Sequence, residues 1–131
     1  MRDLGFREPV ELTVAAESGM MLVIRLTTAG VTTRAGLTID AMDNLKIAAE
    51  EACSCLIGEA GGPDRLRLRF IGEDGALKIR ICGDGACGGA PIGEDECTVV
   101  RCILESLVDG VDIRMHGDAV GAVELRVGLS G

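Results

Sequence analysis

The stretch Thr38-Ile39-Asp40-Ala41-Met42-Asp43-Asn44-Leu45-Lys46-Ile47-Ala48-Ala49-Glu50-Glu51-Ala52-Cys53-Ser54-Cys55-Leu56-Ile57 decides how this chain folds. Met42, Leu45, Ala49, Ala52 and Leu56 recur at spacings of three and four, which places them in one stripe along a helix. Thr38 stands where a hydroxyl caps a first turn, and Gly58 where a helix stops. A helix with one apolar stripe needs a surface to bury it on.

The sequence on either side supplies that surface as strands. Val10 to Val14 alternates apolar and polar residues. Leu66, Leu68 and Phe70 alternate with Arg65, Arg67 and Arg69; Leu77, Ile79 and Ile81 alternate with Lys78 and Arg80. Between these two runs, Gly72-Glu73-Asp74-Gly75 contains the Asp-Gly pair of a tight hairpin. The pattern repeats near the C-terminus: Val111, Ile113 and Met115, a turn at His116-Gly117-Asp118, then Val123, Leu125 and Val127. A further helix is expected over Cys97 to Val108, with Val100, Ile103, Leu104 and Leu107 on one side and Arg101 and Glu105 on the other; Gly110 ends it. The segment Ser18 to Arg34, with its Met-Met-Leu-Val-Ile run, reads as a buried strand as readily as a helix. One-sided strands need cover on one face only. The expected architecture is a two-layer α/β (α+β) sandwich: a five-stranded, mostly antiparallel sheet with helices on one side.

Composition narrows the function. The 131 residues suit a single domain, 1–131, with 1–9 as a flexible end. Apolar residues make up 47% but aromatics only 2%, so the core is aliphatic. The net charge of −8 argues against a general nucleic-acid binder. Met1 to Pro9 lacks the apolar run of a signal peptide, and no stretch reaches the ~18 apolar residues of a membrane span, so a cytoplasmic protein is expected.

Ile24-Arg25-Leu26-Thr27-Thr28-Ala29-Gly30-Val31 together with Asp43 to Ser54 resembles the anti-sigma-factor serine/threonine kinases of bacterial partner-switching systems, which have the histidine-kinase-like ATPase (GHKL) fold. The resemblance runs from about Val10 to about Leu125. It implies that Ser18 to Arg34 is a helix, making three helices over the sheet, and that Asp43 to Ser54 belongs to the N-box helix. It also implies a sigma factor or a STAS-type anti-anti-sigma protein as partner, a homodimer, and contacts to partner and dimer mate around Arg25 and Arg34.

The same resemblance marks where a nucleotide would sit. The family's N-box has a Glu as general base and, one helical turn on, an Asn that holds Mg²⁺. Here Glu51 takes the base position and Cys55 the Asn position. A thiol is a poor ligand for a hard cation. The family's Asp-x-Gly turn, whose Asp anchors adenine, aligns with Gly83-Asp84-Gly85; Asp84 takes the anchor position only if the register slips by one. The glycine-rich phosphate turn aligns with Cys97-Thr98-Val99-Val100, which has no glycine. The lid, Ala86 to Glu96, is short for the family. Glu51, Cys55, Gly83, Asp84, Gly85 and Thr98 therefore border a degenerate site for ATP and Mg²⁺, and a pseudoenzyme is expected. An active kinase is the alternative.

Of the six cysteines, the resemblance puts Cys55, Cys82, Cys87 and Cys97 around that same pocket, which opens a thiol-based metal or redox reading. No Cys-x-x-Cys pair supports it, and free cysteines commonly serve as small buried apolar residues, as expected for Cys53. Arg65, Arg67, Arg69, Lys78, Arg80, Arg114 and Arg126 all fall on polar strand positions. That is a docking or dimerisation face, or the solvated side of an antiparallel sheet. No aromatic lies among them to stack bases. His116, the only histidine, sits in a turn and is read as structural.

Overall fold

The computed structural model describes residues 9–57, 62–84 and 92–129. Within them the chain runs β1 (Val10–Ala15), α1 (Met21–Ala35), α2 (Ile39–Leu56), β2 (Arg65–Glu73), β3 (Ala76–Asp84), α3 (Glu94–Glu105), β4 (Gly110–His116) and β5 (Ala119–Gly128). The strands form one sheet in the order β1-β2-β3-β5-β4, every neighbouring pair antiparallel. α2 lies against β5 and β3 and is in contact with both α1 and α3.

α2 matches its pattern. The Thr38 hydroxyl accepts from the Ala41 amide at 3.1 Å, which fixes the first turn. Leu45, Ala48, Ala49, Ala52, Cys53 and Leu56 are all buried, and they meet Leu66, Leu68, Phe70, Ile79, Ile81, Val123 and Leu125 in one core. Ile57 is the last residue described at this end, so the expected stop at Gly58 lies outside the described residues.

α1 settles the ambiguous segment as a helix, preceded by a 3₁₀ turn at Ser18–Met20. Its buried side carries Ile24, Thr28, Val31 and Thr32. The two buried hydroxyls are satisfied within the helix: Thr28 donates to the Ile24 carbonyl and Thr32 to the Thr28 carbonyl, each at 2.8 Å. Leu22, Val23 and Leu26 stay exposed. Because apolar residues occupy both sides, no period stands out in the sequence. The helix ends at Gly36, whose left-handed φ of 79° suits glycine.

The β2–β3 hairpin turns on Asp74 and Gly75, both at positive φ (52° and 71°), as an Asp-Gly turn requires. Three expectations need correction. Helix α3 begins at Glu94 and ends at Glu105, not at Cys97 and Val108. Its expected inner residue Ile103 is exposed, while Leu104 and Val108 are buried. Met115 is also exposed: it lies opposite buried Val120, but near the end of the edge strand β4. Arg114 faces Ala122 and Met115 faces Val120, leaving Gly121 as the extra residue of a bulge. No helix among the described residues is long and apolar enough to cross a membrane.

Candidate functional site

The site expected from the sequence is built by the open side of α2, the end of β3 and the start of α3. Glu51 and Cys55 are both half-buried and one turn apart on α2, so they share a face. The Cys55 thiol is pushed up to about 11, first by burial and then by the negative charges of Glu51 and Cys97. Cys97, half-buried on α3, therefore closes the same corner. At neutral pH Cys55 is a neutral thiol beside a carboxylate. That pair offers Mg²⁺ one hard oxygen donor and one soft, protonated sulfur.

The end of β3 separates Gly83 from Asp84. Gly83 pairs with buried Leu66 and shares the inward parity of Ile79 and Ile81. Asp84 pairs with Arg65 and has the outward parity of Arg80 and Cys82. A carboxylate at position 83 would face the helix side; the one at 84 belongs to the opposite face. Gly83 is also required by packing. A Cβ there would stand 2.8 Å from Pro63 Cβ and 2.9 Å from its Cγ, so buried Pro63 occupies the space an anchoring side chain would need.

The aligned phosphate turn is not a turn. Cys97 and Thr98 lie inside α3, one turn past its start, and the Thr98 hydroxyl donates back to the Glu94 carbonyl at 2.9 Å. The Cys97 amide donates to the Gly93 carbonyl at 2.9 Å, so it is already committed within the helix. The free amides belong to the first turn, which carries Glu94, Asp95 and Glu96. These three carboxylates already complement the positive end of the helix dipole and would repel a polyphosphate.

The cysteines divide. Cys55 and Cys97 lie together, and Cys53 is fully buried in the core, its thiol pushed up to about 12 chiefly by burial. Cys82 needs correcting: it faces away from this corner, because strand alternation sends it to the outer face beside Arg67, Arg80 and Arg114. Gly85 and Cys87 lie outside the described residues, as does the lid up to position 91. Among the described residues, no three His, Cys, Asp or Glu side chains converge to hold a metal ion.

Arg25 of α1 grips Glu50, next to Glu51 on α2. Its Nε donates to Oε2 at 3.0 Å and its Nη2 to Oε1 at 2.7 Å. This hydrogen bond holds the Glu50 carboxyl below the usual carboxylate range. Arg25 thus clasps two helices together, which its sequence position alone does not reveal. Arg34 lies exposed in the last turn of α1.

Comparison with known proteins bears on the fold. No protein-family model matches the chain. It is 40% identical over 80 residues to the serine-protein kinase RsbW of Bacillus mycoides, covering 60% of this chain and 50% of that protein. It is 33% identical over 79 residues to the serine-protein kinase RsbW of Bacillus subtilis, covering 58% and 49%. The chain therefore spans about half the length of the curated relatives it matches. In three dimensions it superposes on a crystal structure of the RsbU and RsbW domains of Rv1364c from Mycobacterium tuberculosis with a TM-score of 0.71 at 16% identity, over 94% of this chain and 32% of that one. The chain is accordingly similar to RsbW serine-protein kinases over part of its length, and its fold, an α+β sandwich, matches part of the structure that contains the RsbU and RsbW domains.

Proposed function

We propose that this chain is an anti-sigma-factor-like regulator that holds a sigma factor or a STAS-type antagonist without efficient phosphoryl transfer. The observation that carries the reading is the pairing of Glu51 with Cys55 on α2, where a thiol stands in place of a hard metal ligand. Three further features point the same way: Pro63 over Gly83, Asp84 on the outer face, and three carboxylates at the start of α3. The residues present do not fit Mg-ATP.

Partner binding remains open to the scaffold. α1 exposes Leu22 (56%), Leu26 (63%) and Val23, an apolar stripe that Arg34 extends with charge at the C-terminal end. A partner helix or a second copy of this chain would bury that stripe. Mixing the protein with a STAS-type antagonist, and with labelled ATP, tests the reading. A stable complex without label on the antagonist is expected; stoichiometric labelling would overturn it.

The retained carboxylate of Glu51 favours one alternative, an active serine kinase with Glu51 as base. That reading requires Glu51→Ala to abolish label transfer. A thiol switch at Cys55 and Cys97 is a second alternative, supported by their proximity on facing helices. Mass spectrometry after mild oxidation would then show loss of both free thiols together.

A further inference from the structure

The outer face of the sheet, away from the helices, holds a groove of about 440 Å³ that neither α1 nor the degenerate corner uses. Its lining includes Arg67, Arg69, Arg80 and Arg114, with Glu11 as its single carboxylate, in a chain whose net charge is −8. The registers show how it is built. One row across the strands reads Thr13, Arg67, Cys82, Ala122, Arg114. Cys82 and Ala122 are short and half-buried, so they form a floor at the sheet centre between arginine walls. The adjacent row reads Glu11, Arg69, Arg80, Glu124, Asp112.

Two observations indicate that this charge awaits a ligand. Arg69 and Arg80 are directly opposed across β2 and β3, a like-charge pair; Arg80's other cross-strand neighbour is Glu124, which among the described residues makes no ion pair with it. Glu11 answers Arg69 at 3.2 Å and Asp112 answers Arg114 at 3.4 Å, but among the described residues neither Arg67 nor Arg80 has an ion-pair partner. Both are exposed, with forked guanidinium groups suited to carboxylates.

We infer that this groove is a docking site for an acidic segment of a partner polypeptide, whose carboxylates pair with Arg67 and Arg80 over the Cys82–Ala122 floor. The charge pattern selects a polypeptide over a nucleic acid. Carboxylates flank the central arginines on both sides, Glu11 at one end and Glu124 and Asp112 at the other. A phosphodiester strand is negative along its whole length and would meet them; a short acidic cluster meets only the arginines. No aromatic side chain lines the groove to stack a base. This surface lies on the opposite face of the sheet from the helices, and the inference does not rest on the regulatory reading above.

Fluorescence anisotropy with a labelled oligo-glutamate peptide at low ionic strength tests it. Binding that weakens with salt is expected, reduced about tenfold in Arg67→Gln/Arg80→Gln, since two exposed charge pairs account for roughly that factor. Ala122→Leu, which fills the floor and leaves the charge intact, should weaken binding as well, while Arg101→Gln on α3 should leave it unchanged. Circular dichroism confirms that each variant folds. Absence of peptide binding, undiminished binding in either groove variant, or tighter binding of a single-stranded oligonucleotide than of the peptide would overturn the inference.

Discussion

The two sides of α2 meet different physical demands. The inner side, Leu45, Ala48, Ala49, Ala52 and Leu56, is buried to within 1% and fills the core. The open side carries Glu51 and Cys55, which are only half-buried, Cys55 at the edge of the core. Packing asks only for apolar volume in the right place, and many side chains supply it. A metal site asks for particular donor atoms, and a single replacement removes one. On the proposed reading, the fold stands intact around a corner that does not suit phosphoryl transfer.

The sharpest way to break this comparison is to exchange the consequences of the two sides. Leu45→Ala should lower stability by about 2–5 kcal/mol, the range for emptying a buried aliphatic site, as read by urea denaturation. Glu51→Gln, on the same helix, should stay within about 0.5 kcal/mol of the parent. Equal losses in both would mean that the open side is structural.

Next in size is the end of β3. Gly83→Ala places a Cβ against the Pro63 ring and should cost about 1–3 kcal/mol. Pro63→Gly in the same chain removes the ring, and Gly83→Ala should then cost less than it does alone. Strict additivity of the two changes would show that Pro63 does not fill the anchor position.

How much of this was legible in the sequence depends on whether one face or two carried the signal. Five strands could be read because arginines alternate with aliphatics, and α2 because Thr38 caps a single stripe. α1 could not be read by period, since Leu22, Val23 and Leu26 are apolar and outward; only the resemblance made it a helix. The bulge at Gly121 is invisible in the alternation, and so is the exposure of Met115 near the end of the edge strand β4. At the site, only the resemblance, not spacing, puts Cys55 where the family has Asn. The position of Cys82 was not legible, because strand parity near the end of β3 sends it away from Cys55. The start of α3 was missed because Glu94-Asp95-Glu96 looked like lid, though acidic residues suit a helix's first turn.

Smaller effects sharpen the contrast between buried and open thiols. At pH 8, alkylation followed by mass spectrometry should modify exposed Cys102 first, Cys55 more slowly, and Cys53 only on unfolding. The sign follows from linkage. The folded values of Cys53 and Cys55, about 12 and about 11, lie above the ordinary thiol value, so their contribution to stability is whole below that value and is lost as pH rises through the folded ones. Glu50 works in the opposite direction. Arg25 lowers its carboxyl, so that contribution is present above the ordinary carboxylate range and lost as pH falls through the lowered value. Arg25→Gln should therefore flatten the acid limb of the stability profile without shifting the alkaline one, and an unchanged acid limb would exclude the clasp.

The central claim is that the scaffold persists while the nucleotide corner no longer fits Mg-ATP. Isothermal titration calorimetry of the purified protein with Mg-ATP tests it most directly. The account predicts no saturable heat in the micromolar range. A micromolar, magnesium-dependent isotherm would contradict it.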